Sequence, residues 1–262
     1  MLIQDVIDAI CRIAPESWQE DFDNSGIQVG ETFRKCTGVL LCVDATPEIV
    51  IEAYERKCNL IITHHPLIFN PVHSITGLSR QTLTITKAIK NDITIYSCHT
   101  PIDKAFETGV SWAMAKSMGF TDIHPLEEGH PQGLSIGVTA DINTPMTKSE
   151  LVSLVKSTFG SPVTRCSSLE AAPNRIKRVA IGGGACASHI PAAIAAGAQA
   201  MIVSDCKHNH FIDYLGRIFI IDIGHYEAEK CTKQIFYDII TEKFPNFAVY
   251  FSERDINPIN YL

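Results

Sequence analysis

Short, continuous apolar runs recur along this chain, and each stops abruptly on polar side chains. In the first half they are Thr37–Val43, Leu60-Ile61-Ile62-Thr63 and Asp92–Cys98; in the second half they are Val179-Ala180-Ile181, Ala198–Val203 and Arg217–Ile223. Runs without polar alternation are the signature of strands buried on both faces, as in a parallel sheet. Between them, apolar positions recur at helical spacing. Ile3, Val6, Ile7, Ile10, Ile13 and Ala14 predict a helix over residues 3–14 that Pro15 ends. Thr46 is placed to cap a helix that Pro47 opens, with Ile49, Val50, Ala53 and Tyr54 as its buried stripe. Further helices are predicted at 81–90, 109–118, 147–159 and 188–196. In the third of these, Thr147 and Glu150 match a capping box. From Tyr226 onward, Ile235, Phe236, Ile239 and Ile240 give one more.

The polar stretches divide the rest. Asp21-Phe22-Asp23-Asn24-Ser25-Gly26 reads as a tight turn into a short strand, and its acidic groups make it a candidate site wall. Residues 66–80 predict irregular chain. Pro125, Gly129, Pro131 and Gly133 have linker composition, followed by strand 134–139 and strand 162–167 around the helix at 147.

The second half echoes the first. Val179–Gly184 stands 140 residues after Val39–Asp44, and Ala198–Asp205 stands at the same offset from Cys58–His65. Arg217–Ile223 repeats the strand at 93–98, so that Gly224-His225 falls where Cys98-His99 stands. The expected fold class is therefore α/β, with two α/β domains related by internal duplication. Their sheets should be mostly parallel or mixed and flanked by helices. The expected boundaries are 1–124 with 220–262 for one domain and 125–219 for a smaller second one. Gly182-Gly183-Gly184 follows a strand and precedes a helix but matches neither GxGxxG nor the Walker pattern, so it reads first as a tight turn.

Composition narrows the function. Hydrophobic residues are 45% and charged residues 19%, enough to build a substantial core. A net charge of −7 opposes an extended nucleic-acid footprint, which needs clustered cations, but leaves room for a single nucleotide. The nine cysteines form no CxxC pair and several sit inside apolar runs, the pattern of reduced thiols in a cytoplasmic protein. No basic n-region opens the chain, and no apolar run reaches the length of a membrane span.

Ligand-type side chains collect where strands end, which in open α/β sheets is where chemistry collects. His64 and His65 follow one strand, His99 and Asp103 another, and Ser204 to His210 a third. His225 and Glu229 lie four apart at the start of a helix, and therefore on one face of it. Imidazole and carboxylate together suit zinc, iron, manganese or nickel and poorly suit calcium. Five such ligands exceed what one catalytic zinc takes from protein, so a two-metal site with a bridging carboxylate is the natural reading.

Four ordered motifs carry a resemblance: Asp23-Asn24-Ser25-Gly26, Thr63-His64-His65-Pro66-Leu67-Ile68-Phe69, His99-Thr100-Pro101-Ile102-Asp103 and Gly224-His225-Tyr226-Glu227-Ala228-Glu229. Over essentially its whole length the chain resembles the Nif-three-like family, also labelled GTP cyclohydrolase type 2 homologues. The resemblance implies two α/β domains, a dinuclear metal site and a homohexameric ring. It also implies His64, His65, Asp103, His225 and Glu229 as metal ligands, with Glu229 or Asp103 bridging two divalent ions. His99 then falls in the pocket as the candidate catalytic residue, a proton shuttle. The chain departs from the family at Lys207-His208-Asn209-His210, where Asn209 stands at a usual histidine position. The short 134–167 unit implies the compact form without a large inserted domain. The expected activity is metal-dependent hydrolysis of a small molecule, a nucleotide or a cyclic amide; the alternative is a non-catalytic metal-binding or regulatory scaffold.

Overall fold

The computed structural model describes residues 1–127, 133–161 and 163–260. Residues 128–132 of the expected linker, His130 among them, and Pro162 at the expected start of a strand lie outside the described residues. The chain divides into two compact units, one of Met1–Ile102 with Thr232–Ile256, the other of Asp103–Cys231 with Asn257–Leu262.

The first unit opens with α1 (Ile3–Ile13), which buries Ile3, Val6, Ile7 and Ile10. Strands β1 (Gly26–Val29), β2 (Val39–Cys42), β3 (Leu60–Thr63) and β4 (Thr94–Ser97) follow, with α2 (Pro47–Glu55) and α3 (Arg80–Lys90) as crossovers. Thr46 caps α2, its hydroxyl accepting from Ile49 N at 3.3 Å. The buried stripe of α2 is Ile49, Val50, Glu52 and Ala53. Tyr54 does not join it: its side chain is 62% exposed. Lys57, three residues on, is left-handed, and the chain leaves the helix there. A short α4 (Thr100–Lys104), which the apolar pattern gave no sign of, follows β4.

The second unit contains α5 (Val110–Ser117), β5 (Ile123–Pro125), β6 (Gly137–Met146), α6 (Lys148–Phe159), β7 (Arg165–Cys166) and β8 (Ile176–Gly182). A 3₁₀ turn at Cys186–His189 then leads into α7 (Ile190–Ala195), β9 (Ala200–Val203), α8 (His208–Asp213), β10 (Phe219–Asp222) and α9 (His225–Glu229). The capping box at Thr147 and Glu150 is formed. The chain returns to the first unit with α10 (Thr232–Lys243) and β11 (Val249–Phe251). The helix expected from Tyr226 onward is therefore two helices, α9 and α10.

The sheet orders are β1-β4-β3-β2-β11 and β5-β6-β8-β9-β10-β7. In each, three central strands run parallel and an antiparallel strand flanks the third: β1 against β4, β7 against β10. The duplication holds at the level of register. Val39 pairs with Leu60 in the first sheet, and Val179 with Ala200 in the second, each 140 residues on. Both parallel trios bury all four residues of their middle strand, which is why those strands are apolar without alternation. The core of the first unit packs Leu40, Ile61 and Ile95 against Ile49, Ala53, Ile85 and Ala88. That of the second packs Ala180, Met201 and Ile220 against Ile190 and Ala193.

Candidate functional site

In the first unit, β3 ends at Thr63 and the chain turns at Pro66, leaving His64 fully buried and His65 partly so. β4 ends at Ser97 one strand over and delivers His99. The three rings stand together, with centroids 5.0 Å apart for His64 and His65, 5.2 Å for His64 and His99, and 5.5 Å for His65 and His99. One ring nitrogen from each lies within 4.8 Å of the others.

Each ring is oriented through its Nδ1. His64 Nδ1 lies 3.3 Å from Cys98 O, His65 Nδ1 3.1 Å from Asp44 Oδ1, and His99 Nδ1 2.9 Å from Asp23 Oδ1. A carbonyl or a carboxylate can only accept, so Nδ1 carries the proton and the lone pair of the neutral ring sits on Nε2. That tautomer is the one a metal ligand needs, and an outer acceptor is how proteins fix it. Asp23 is the most heavily used of these acceptors. It also takes hydrogen bonds from Asn24 N (2.7 Å), Ser25 Oγ (2.9 Å), Thr100 N (3.1 Å) and Thr100 Oγ1 (2.5 Å). Burial pushes its carboxyl up, but the bonds from His99 and Thr100 outweigh this and hold it far below the usual carboxylate range.

An aromatic pair flanks this cluster. Phe69 meets His99 edge-on with centroids 6.3 Å apart, and Phe22 lies 6.4 Å from Phe69. They are 46% and 63% exposed, respectively. Their two loops are tied together, Asn24 Nδ2 donating to Ile68 O at 2.6 Å and Ile68 N to Gln28 Oε1 at 3.0 Å.

In the second unit, α9 carries His225 and Glu229. The i, i+4 spacing brings His225 Nε2 within 2.8 Å of Glu229 Oε2, and Asp205 Oδ2 stands 2.7 Å from His225 Nδ1. Burial works against the charged ring, but these two carboxylates overcome it and raise its pKa to about 10. A ring gripped from both sides in this way occupies a seat built for positive charge. Asp205 reaches it from the end of β9 in a left-handed conformation, φ +57°, a region aspartate tolerates better than most residues. Burial and the negative charges of Asp103 and Glu229 push up the thiols of Cys186 and Cys231, the latter to about 12. Those cysteines are thiols, not thiolates, near neutral pH.

The predicted residues thus fall into two groups: His64, His65 and His99 in the first unit, and Asp103, His225 and Glu229 in the second. What the sequence does not reveal is that carboxylates stand behind two of the rings, Asp44 behind His65 and Asp205 behind His225. A faint signal existed for both, since Asp44 stands one residue and Asp205 two residues past the end of its apolar run. His208 and Asn209 lie exposed on α8, and His210 Nδ1 accepts from Lys207 N at 3.1 Å. A cavity of about 540 Å³ lined by His124, Glu127, Thr139 and Arg178 holds none of the predicted donors. There the Arg178 guanidinium is committed to Asp141 through both branches, at 2.6 and 2.8 Å.

Duplicated α/β units whose strand ends present acceptor-oriented histidines and buried carboxylates define a class of metal-competent α/β proteins. The model of the Duf34/NIF3 (NGG1p interacting factor 3) family matches residues 1–258, and the chain belongs to that family. It is 33% identical over 236 residues to the GTP cyclohydrolase 1 type 2 homolog of Clostridium perfringens (strain 13 / Type A), 87% of each chain being covered. It is 29% identical over 265 residues to the protein of the same name from Lactococcus lactis subsp. lactis (strain IL1403), covering 98% of each. Among solved structures, the Staphylococcus aureus hypothetical protein SA1388 matches with a TM-score of 0.89 at 28% identity, over 100% of this chain and 99% of that one. A Bacillus cereus protein related to NIF3 matches with a TM-score of 0.91 over the same shares; at 22% identity it speaks to the fold alone.

Proposed function

We propose that His64, His65, Asp103, His225 and Glu229 hold two divalent cations and that the protein is a metal-dependent hydrolase of a small molecule. The observation that carries this reading is the uniform orientation of the histidines: His64, His65, His99 and His225 each have Nδ1 against an oxygen acceptor. Four solvated or merely structural histidines would have no reason to share that orientation. The donor set mixes imidazole with carboxylate, which matches zinc, iron, manganese or nickel. Divalent cations at such donors supply Lewis acidity and bring the pKa of water toward neutrality.

The remaining roles belong to side chains. His99, held by Asp23, keeps its Nε2 available to take or give a proton at the substrate. Phe22 and Phe69 offer an exposed aromatic face beside that ring. Exposed aromatics pinned by loop-to-loop hydrogen bonds favour a substrate with a planar ring to stack on them. A nucleobase fits, and the name shared by the relatives makes GTP the first compound to try.

The test is metal content followed by turnover. Purified, metal-loaded protein should carry about two divalent ions per chain. His64→Ala and Glu229→Gln should each lower that content and abolish release of formate from GTP, or hydrolysis of a cyclic amide or phosphoester. Full metal content with no turnover across nucleotides, phosphoesters and cyclic amides would favour the metal-binding scaffold instead. We further propose the hexameric ring implied by the family resemblance; a native mass of six chains checks it.

A further inference from the structure

The glycine run Gly182–Gly184 has no phosphate to cradle in this reading, and a tight turn needs at most one of its three glycines. The neighbours of each position separate their roles. A Cβ on Gly182 would come 2.5 Å from Cys186 Cβ, and one on Gly183 would run into the Val110 side chain; both are packing contacts. A Cβ on Gly184 would overlap the carboxylate of Glu229. The backbone there has little room to retreat, because Gly184 O accepts from both Ser204 N (3.2 Å) and Cys186 N (2.9 Å). Glu229 is equally confined: it is 3% exposed, and its other carboxylate oxygen stands 2.8 Å from His225 Nε2.

We propose that Gly184 is a positioning residue, whose missing side chain sets where the Glu229 carboxylate stands and so keeps it in reach of His225. The consequence for metal binding rests on the function proposed above; the packing relation between Gly184 and Glu229 does not. Gly184 also has φ +67°, so any substitution adds backbone strain of its own. Gly197 supplies the control, with φ +76° and no atom within 4 Å of an added Cβ.

The experiment is a double-mutant cycle read in two ways. In metal-free protein, Gly184→Ala should lower the thermal midpoint by several degrees more than Gly197→Ala. In a Glu229→Ala background the two should cost the same. The ring ¹⁵N resonances of His225 should move in Gly184→Ala and stay in place in Gly197→Ala. With zinc, competition against a chelator should show Gly184→Ala losing at least tenfold in affinity, and no further loss when it is added to Glu229→Ala. If Gly184→Ala fails to fold, Glu229→Ala should restore folding. Equal costs for the two alanines, additivity with Glu229→Ala, or no restoration would each overturn the proposal. Wild-type protein that binds no zinc would sink the metal reading while leaving the metal-free cycle to decide on Gly184.

Discussion

At the scale of single residues, the histidines are only as useful as the oxygens behind them. Asp44 and Asp205 accept at Nδ1 of His65 and His225, which fixes that proton and keeps the ring from turning. Outer-shell acceptors of this kind typically change metal affinity 10- to 100-fold. Asp205→Gly isolates the effect, because glycine accepts the left-handed backbone at 205 and removes only the carboxylate. It should weaken zinc binding by about 10- to 100-fold in chelator competition while leaving the thermal midpoint of metal-free protein within a few degrees of wild type. Asp44→Ala should do the same through His65. Asp23 makes a pH prediction. Its pKa in the fold lies below the ordinary value of 3.8. Its stabilisation is therefore fully present above about pH 4 and is lost as pH falls below that. Wild-type stability should drop steeply over that range, while Asp23→Asn should start lower at pH 7 and show a shallower acid limb in denaturant titrations.

At the scale of elements, what was legible and what was not separate along physical lines. The central strands were read from their apolar runs because a strand buried on both faces has no other composition open to it. α6 was read from Thr147 and Glu150 because a capping box is local. By contrast, α4 is a single turn set by Asp23 accepting from Thr100 N, across 77 residues of chain. Likewise the partnership of Asp44 with His65, or Asp205 with His225, joins positions about twenty residues apart that only the parallel register brings together. Glu52 shows the same blindness: a charged residue on α2 reads as solvent-facing, yet it is 3% exposed. It accepts from Ser252 Oγ (2.6 Å), Glu253 N (3.0 Å), Arg254 N (3.2 Å) and Arg56 Nε (2.9 Å), pinning the segment after β11 to α2. Burial raises its pKa, and these bonds lower it further than burial raises it. Glu52→Gln leaves a neutral acceptor where charge-assisted bonds converge. The expected cost is about 2 kcal/mol, or a fall of roughly 4–8 °C in thermal midpoint, with that segment losing amide protection first.

At the scale of the whole molecule, the duplication explains why two similar halves present different chemistry. Position by position, the strand ends have diverged: Asp44 became Gly184, and His64-His65 became Ser204-Asp205, while His99 and His225 kept their imidazoles at the ends of β4 and β10. One half presents ring donors at its strand ends; the other presents an orienting carboxylate, a gap for Glu229 and the helix α9 that carries His225 and Glu229. Neither half repeats the other's donor set, and the five proposed ligands are divided between them. That division gives a global measurement. Ions bound only by the folded chain stabilise it by about 2.7 kcal/mol when present at 100 times their dissociation constant, worth roughly 5–10 °C in a chain of this length. Dialysis against a strong chelator should therefore lower the wild-type midpoint by that amount, and zinc should restore it. His64→Ala, altered in one half, and Glu229→Gln, altered in the other, should each show little response to the same treatment. If either variant kept the full chelator-sensitive shift, the ions would be held without that half, and the five-residue assignment would have to be abandoned for a site confined to the other.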